Sequence, residues 1–120
     1  MEKFKLGDME TAFAEIIWNN APISSGELVK ICEKELGWKK STTYTMLKRL
    51  CQRELFENSN GIVNVIISKD EFKVAQSQEF IKKTFDGSLP MFFTAFTKQK
   101  KLSVEEIEEI KNLIENYKED

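Results

Sequence analysis

Two amphipathic helical patterns separated by little more than one glycine, followed by an Asn-Gly pair between β-prone runs, constrain this chain more than any other feature. Ser24-Ser25-Gly26-Glu27 has the spacing of a capping box, in which Ser24 accepts from an amide three residues on and Glu27 reaches back. The helix it opens carries Leu28, Ile31, Cys32, Glu35 and Leu36 along one side, and Gly37 suits the left-handed position that ends it. A further helix is predicted from near Ser41 to about Leu55. At about 100° per residue, Thr43, Met46, Leu47, Leu50 and Cys51 share one arc. Ser41, Thr45, Lys48, Arg49 and Gln52 share the other, with Thr42 and Tyr44 on its flanks.

The flanking segments complete the pattern. Met9, Phe13, Ile16 and Ile17, with Ala12 between them, predict a helix over residues 8–20 that Asp8 can cap. Pro22 cannot continue that helix, and Ile23 is left as one residue of a small strand. Ser59-Asn60-Gly61 is a hairpin signal, with Val63, Val65 and Ile67 pointing one way and Ile62, Asn64 and Ile66 the other. Ser68-Lys69-Asp70-Glu71 opens a helix carrying Phe72, Ala75, Phe80 and Thr84, which Asp86-Gly87-Ser88 breaks. Ser88 can cap the next helix, where Pro90 is tolerated in the first turn. A third capping box, Ser103-Val104-Glu105-Glu106, starts the last helix. The expected architecture is mostly α with a small β-hairpin wing. A winged helix-turn-helix domain fills residues 1–68, and a three-helix dimerisation subdomain fills residues 69–120.

Dimerisation follows from area. Phe80, Phe85, Phe92, Phe93 and Phe96 crowd two short helices, and the last helix lines up Ile107, Ile110, Leu113, Ile114 and Tyr117. About 50 residues hide too little surface to bury all of these alone, and a second copy would cover the rest. A small-molecule pocket is the competing use of the Phe-rich stretch.

Composition narrows the function. With 120 residues, 41% hydrophobic and 32% charged, the chain is too short for a large multidomain enzyme and too apolar for a disordered tail. No apolar run reaches the roughly 18 residues of a membrane span. Met1 to Lys5 has no hydrophobic segment behind it, so no secretory leader is expected, and two Cys fit a reducing cytoplasm. The chain has no His, which removes the commonest general base and most catalytic zinc sites. No enzyme activity, metal or cofactor is expected. Cys32 and Cys51 fall on inward arcs and read as buried, reduced side chains.

Net charge is −2, but it is unevenly spread. Lys39, Lys40, Lys48, Arg49 and Arg53 occupy residues 37–53 without an acid, whereas residues 105–120 hold seven acids, Glu119 and Asp120 included, against two Lys. Exposed helix faces usually mix both signs, so the 41–52 segment points to an anionic partner. In helix-turn-helix proteins the second helix enters the major groove and reads bases from its N-terminal part. Here Ser41, Thr42, Tyr44 and Thr45 stand in that part, and Lys39, Lys40, Lys48 and Arg49 can neutralise phosphates. Asn60, at the tip of a wing without Lys or Arg, is a candidate phosphate contact. Two other readings compete: a merely solvated helix face, and a winged-helix protein-interaction module that does not bind DNA.

The run Trp38-Lys39-Lys40-Ser41-Thr42-Thr43-Tyr44-Thr45-Met46-Leu47-Lys48-Arg49-Leu50 resembles the recognition-helix segment of the penicillinase and methicillin-resistance repressors. Glu15-Ile16-Ile17-Trp18, Phe85-Asp86-Gly87-Ser88 and Leu102-Ser103-Val104-Glu105-Glu106-Ile107 fit the same family in the same order. The resemblance implies a homodimeric bacterial repressor that binds palindromic operators of antibiotic-resistance genes. It also implies a sensor-linked protease as partner. Family members are cut at an Asn-Phe bond, and the matching bond here is Ala95–Phe96. A copper-responsive branch carries paired C-terminal Cys motifs, whereas both Cys here precede residue 52.

Overall fold

A computed structural model describes residues 4–118; Met1 to Lys3, Glu119 and Asp120 lie outside the described residues. With them fall part of the leader reading and two acids of the C-terminal run. The chain divides into two compact units, Met1–Ser77 and Gln78–Asp120.

The first unit contains α1 (Asp8–Asn20), β1 (Ile23–Ser24), α2 (Ser25–Leu36), α3 (Lys40–Gln52), β2 (Phe56–Ser59), β3 (Ile62–Val65) and the start of α4 (Lys69–Phe85). The strands form an antiparallel sheet in the order β1-β3-β2, with Ile23 opposite Val63, Ser24 opposite Ile62 and Phe56 opposite Val65. This is a winged helix. Ile23 is indeed a strand residue, and the strand lengthens the hairpin into a three-stranded sheet.

Local chemistry sets the helix ends. Gly7, not Asp8, occupies the extended cap position of α1, and its amide donates to the Glu10 carboxylate at 3.0 Å. Asp8 is the first helical residue, where a negative charge still suits the positive helix end. Ser24 caps α2 by accepting from the Glu27 amide at 3.1 Å. The Glu27 carboxylate does not complete a box and pairs with Lys30 at 3.6 Å. Gly37 ends α2 in the left-handed region at φ 67°. Helix α3 starts at Lys40 and stops at Gln52, short of Leu55. There Glu54 takes φ 62°, and the Leu55 carbonyl turns to accept the Ile66 and Ile67 amides at 3.0 and 3.1 Å.

The core comprises Phe13, Ile17, Leu28, Leu47, Leu50, Leu55, Phe56 and Val63, all buried. Met9, expected on the core stripe of α1, is 49% exposed, since it precedes the first turn that meets the core; Ala14 is buried instead. Val63 faces inward as expected, but Val65 is partly exposed. β3 ends there, and Ile67, just beyond the strand, packs against the core as expected. Trp18 and Trp38 are packing residues: Trp38 stacks tilted on Phe13 at 5.3 Å, and Trp18 donates from Nε1 to the Ile67 carbonyl at 3.0 Å. A buried indole needs such a partner.

The first unit continues past residue 68. Phe72 is buried against Trp18 (5.4 Å) and Phe4 (5.8 Å), Lys69 pairs with Glu15 at 2.8 Å, and Gln76 donates to the Phe4 carbonyl. The Ser68–Glu71 box is complete, with bonds of 2.9 and 3.1 Å. Hydrogen bonds from the Ser68 amide and side chain hold the Glu71 carboxyl below its ordinary value.

The second unit contains the rest of α4, α5 (Leu89–Gln99) and α6 (Val104–Glu115). Ser88 caps α5 through the Met91 amide at 3.0 Å, with Pro90 in the first turn. Ser103 and Glu106 form a complete box at the head of α6. Tyr117 lies beyond α6, which ends at Glu115, so it is not on that helix's face. Among the described residues, no helix is long and apolar enough to cross a membrane.

Candidate nucleic-acid interface

The burial of Thr43, Leu47 and Leu50 fixes the rotation of α3. Ser41, Thr42, Thr45, Lys48, Arg49 and Gln52 are thereby exposed. The exposed face therefore presents hydroxyls, cations and an amide, and no carboxylate lies on the helix. The hydroxyls can donate to or accept from base edges and phosphates, and the cations can neutralise phosphates.

The N-terminal end of α3 is also unusual. Helix starts favour Asp, Ser or Thr at the cap and acids in the first turn. Here Lys39 is the cap and makes no side-chain capping bond; Lys40 follows, and the first turn has no acid. Both Lys are exposed. Two cations sit on the end that already carries partial positive charge, which disfavours the helix and favours an anion.

Arg53 belongs elsewhere. Its guanidinium donates to the Lys5 carbonyl at 2.9 Å and pairs with Glu10 at 3.6 Å. It ties the end of α3 to α1 and the segment before it. The basic block seen in the sequence thus contributes four cations to the exposed face, not five.

Tyr44 is half-buried, and its hydroxyl donates to Ser25 Oγ at 3.0 Å. With Leu47, Lys48, Cys51 and Asn58 it lines a cleft of about 390 Å³ between α3 and β2. Asn60 is exposed at the wing tip at φ 51°, followed by Gly61 at φ 82°, the left-handed pair a tight hairpin requires. Ser25, which in the sequence shows only as part of a capping run, donates its amide to the Gly61 carbonyl at 2.8 Å. The signal was present: only one of two adjacent serines is needed as a cap.

Burial pushes both thiols up. For Cys32 a hydrogen bond with Thr43 opposes the shift; for Cys51 the Asn58 backbone does. Neither is a ready thiolate at neutral pH. Among the described residues, no group of three His, Cys, Asp or Glu side chains could hold a metal ion.

In the second unit, Phe80, Phe85, Phe92 and Phe96 form a chain of ring contacts at 5.4–6.2 Å. Phe80 nevertheless remains half exposed. Phe93, Ile107, Ile110 and Ile114 line an apolar hollow of about 460 Å³, with Lys111 at its edge. Leu113 is 71% exposed and Tyr117 75%. Ala95 and Phe96 are exposed residues inside α5.

The sequence is similar to those of known repressors. A family model described as penicillinase repressor matches residues 6–116. The chain is 28% identical to a penicillinase repressor of Bacillus licheniformis, over 95% of this chain and 92% of that one. It is 24% identical to the methicillin resistance regulatory protein MecI of Staphylococcus aureus strain Mu50, over 92% and 94% respectively. A penicillinase repressor of Staphylococcus aureus is 24% identical over 82% of each chain.

Proposed function

Because the chain belongs to the penicillinase repressor family, we propose that it is a homodimeric transcriptional repressor binding a dyad operator of resistance genes. The observation that carries this reading is the exposed, carboxylate-free face of α3. Ser41, Thr42 and Thr45 contact base edges in the major groove, while Lys39, Lys40, Lys48 and Arg49 contact phosphates. Asn60 touches the backbone from the wing. The exposed apolar side chains of α5 and α6, with Phe80 and Tyr117, meet their copies in a second chain, as exposed apolar surface of this extent favours. Two recognition helices then enter successive grooves about one helical turn apart, which makes the operator a dyad.

Inactivation by a sensor-linked protease at Ala95–Phe96 requires α5 to unwind locally, since both residues lie within the helix and proteases act on opened chain. Ile62, Val65 and Ile66, exposed on and just after the wing, favour a second reading, a protein-binding wing. Footprinting on DNA upstream of the chain's own gene separates the two. A protected dyad is expected; absence of any protected dyad at low salt, together with a stably bound protein, establishes the second.

A further inference from the structure

We propose that Tyr44 and Ser25 form a strut that sets the wing against the recognition helix, making both positioning residues for operator binding. The proposal rests on the repressor reading above for its functional consequence but not for its geometry.

Ser25 joins α3 to the wing turn, next to the Ser24–Ile62 pairing of the sheet. Its amide donates to the carbonyl of Gly61, in the wing turn, at 2.8 Å. Its hydroxyl accepts from the Tyr44 hydroxyl, on α3, at 3.0 Å. The turn is close: a Cβ added to Gly61 would stand 4.0 Å from Ser25 Oγ. One residue at the start of α2 therefore contacts the base-reading helix through its side chain and the wing turn through its backbone.

Tyr44 sits in the part of α3 that reads bases, yet it is half-buried and its polar atom is already committed. The exposed hydroxyls of Ser41, Thr42 and Thr45 are not so engaged by another element. Tyr44 thus contributes to affinity through the wing's placement, not through a base contact. A wing held in its bound position loses less conformational freedom when DNA arrives.

The test compares Tyr44→Phe, Ser25→Ala and the double variant, with folding checked by circular dichroism. Each single substitution is expected to weaken operator binding by the dimer roughly five- to a hundredfold, the worth of one neutral hydrogen bond in each protomer. The double variant is expected to be no weaker than either, because both remove the same bond. Selection among base pairs and the salt slope stay unchanged, while backbone protection at the wing's phosphates fades. A changed preference at one base pair with Tyr44→Phe, or losses that add in the double variant, overturns the proposal. Amide exchange decides the geometry without DNA. Tyr44→Phe should speed exchange of the Ser25 amide and leave the amides of α5 unaffected; an unchanged Ser25 rate also overturns it. If the wild-type chain retards no DNA, the repressor reading fails while the exchange result still decides the strut.

Discussion

Lys39 offers a substitution whose effects on folding and on DNA binding have opposite signs. It caps α3 with extended backbone (φ −73°, ψ 156°), the conformation in which a Ser side chain bonds the amide three residues on. In Lys39→Ser that bond would reach the Thr42 amide and satisfy one of the unpaired donors of the helix start. The gain is about 1 kcal/mol, and removing a cation from the positive end adds to it. In a unit of this size, that raises the melting temperature by about 4–8 °C. Under the proposed function the same change removes one phosphate contact per protomer. With four cations per protomer on the face, the dimer's slope of log K against log salt is about −7, and Lys39→Ser makes it shallower by about 1.8. Thermal melts and gel shifts from 50 to about 200 mM salt measure both. A higher melting temperature with an unaltered slope removes Lys39 from the phosphate contacts. A lower melting temperature refutes the account of the helix end itself.

Four other substitutions test other contacts. Thr45→Ala should change which base is selected with little effect on the salt slope, whereas Arg49→Ala should shallow the slope by about 1.8 for the dimer on every sequence; selection experiments across salt separate them. Leu113→Asp should turn the dimer into monomers by analytical ultracentrifugation and weaken operator binding, with little effect on helicity, because the side chain is 71% exposed within one chain. Glu71 has its carboxyl held low in the fold, so its contribution is present above the ordinary value of 4.5 and lost as pH falls through the lower folded value. Glu71→Gln should therefore destabilise the protein near neutral pH, and urea titrations should show that difference shrinking in acid.

The elements most legible in the sequence were those whose residues act locally. Gly37 as a left-handed helix end, Ser88 and Ser103 as caps, and the Asn60-Gly61 turn needed only neighbours within a few positions. The rotation of α3 was also legible, because its two arcs differ so sharply in polarity. Other features depended on distant partners. Arg53 reads as one more cation in a basic run until Glu10 and the Lys5 carbonyl, more than 40 positions away, claim it. Helix α3 stops at Gln52, despite apolar residues beyond, because Glu54 turns left-handed and the Glu54 and Leu55 amides fold back onto the Cys51 and Leu50 carbonyls, while the Leu55 carbonyl accepts from the chain leaving the wing. Tyr44 reads as a groove-facing side chain at helical spacing alone, and only the fold reveals Ser25 within reach of its hydroxyl.

The uncovered oily row on the last helix has a quantitative consequence for regulation. A solitary copy leaves Leu113 and Ile114 in water, and under the proposed repressor function the species that occupies DNA is a pair of copies. At low abundance its amount scales with the square of chain abundance. Destroying half the copies would then leave about a quarter of the paired form, and a modest rate of degradation would switch the genes on abruptly.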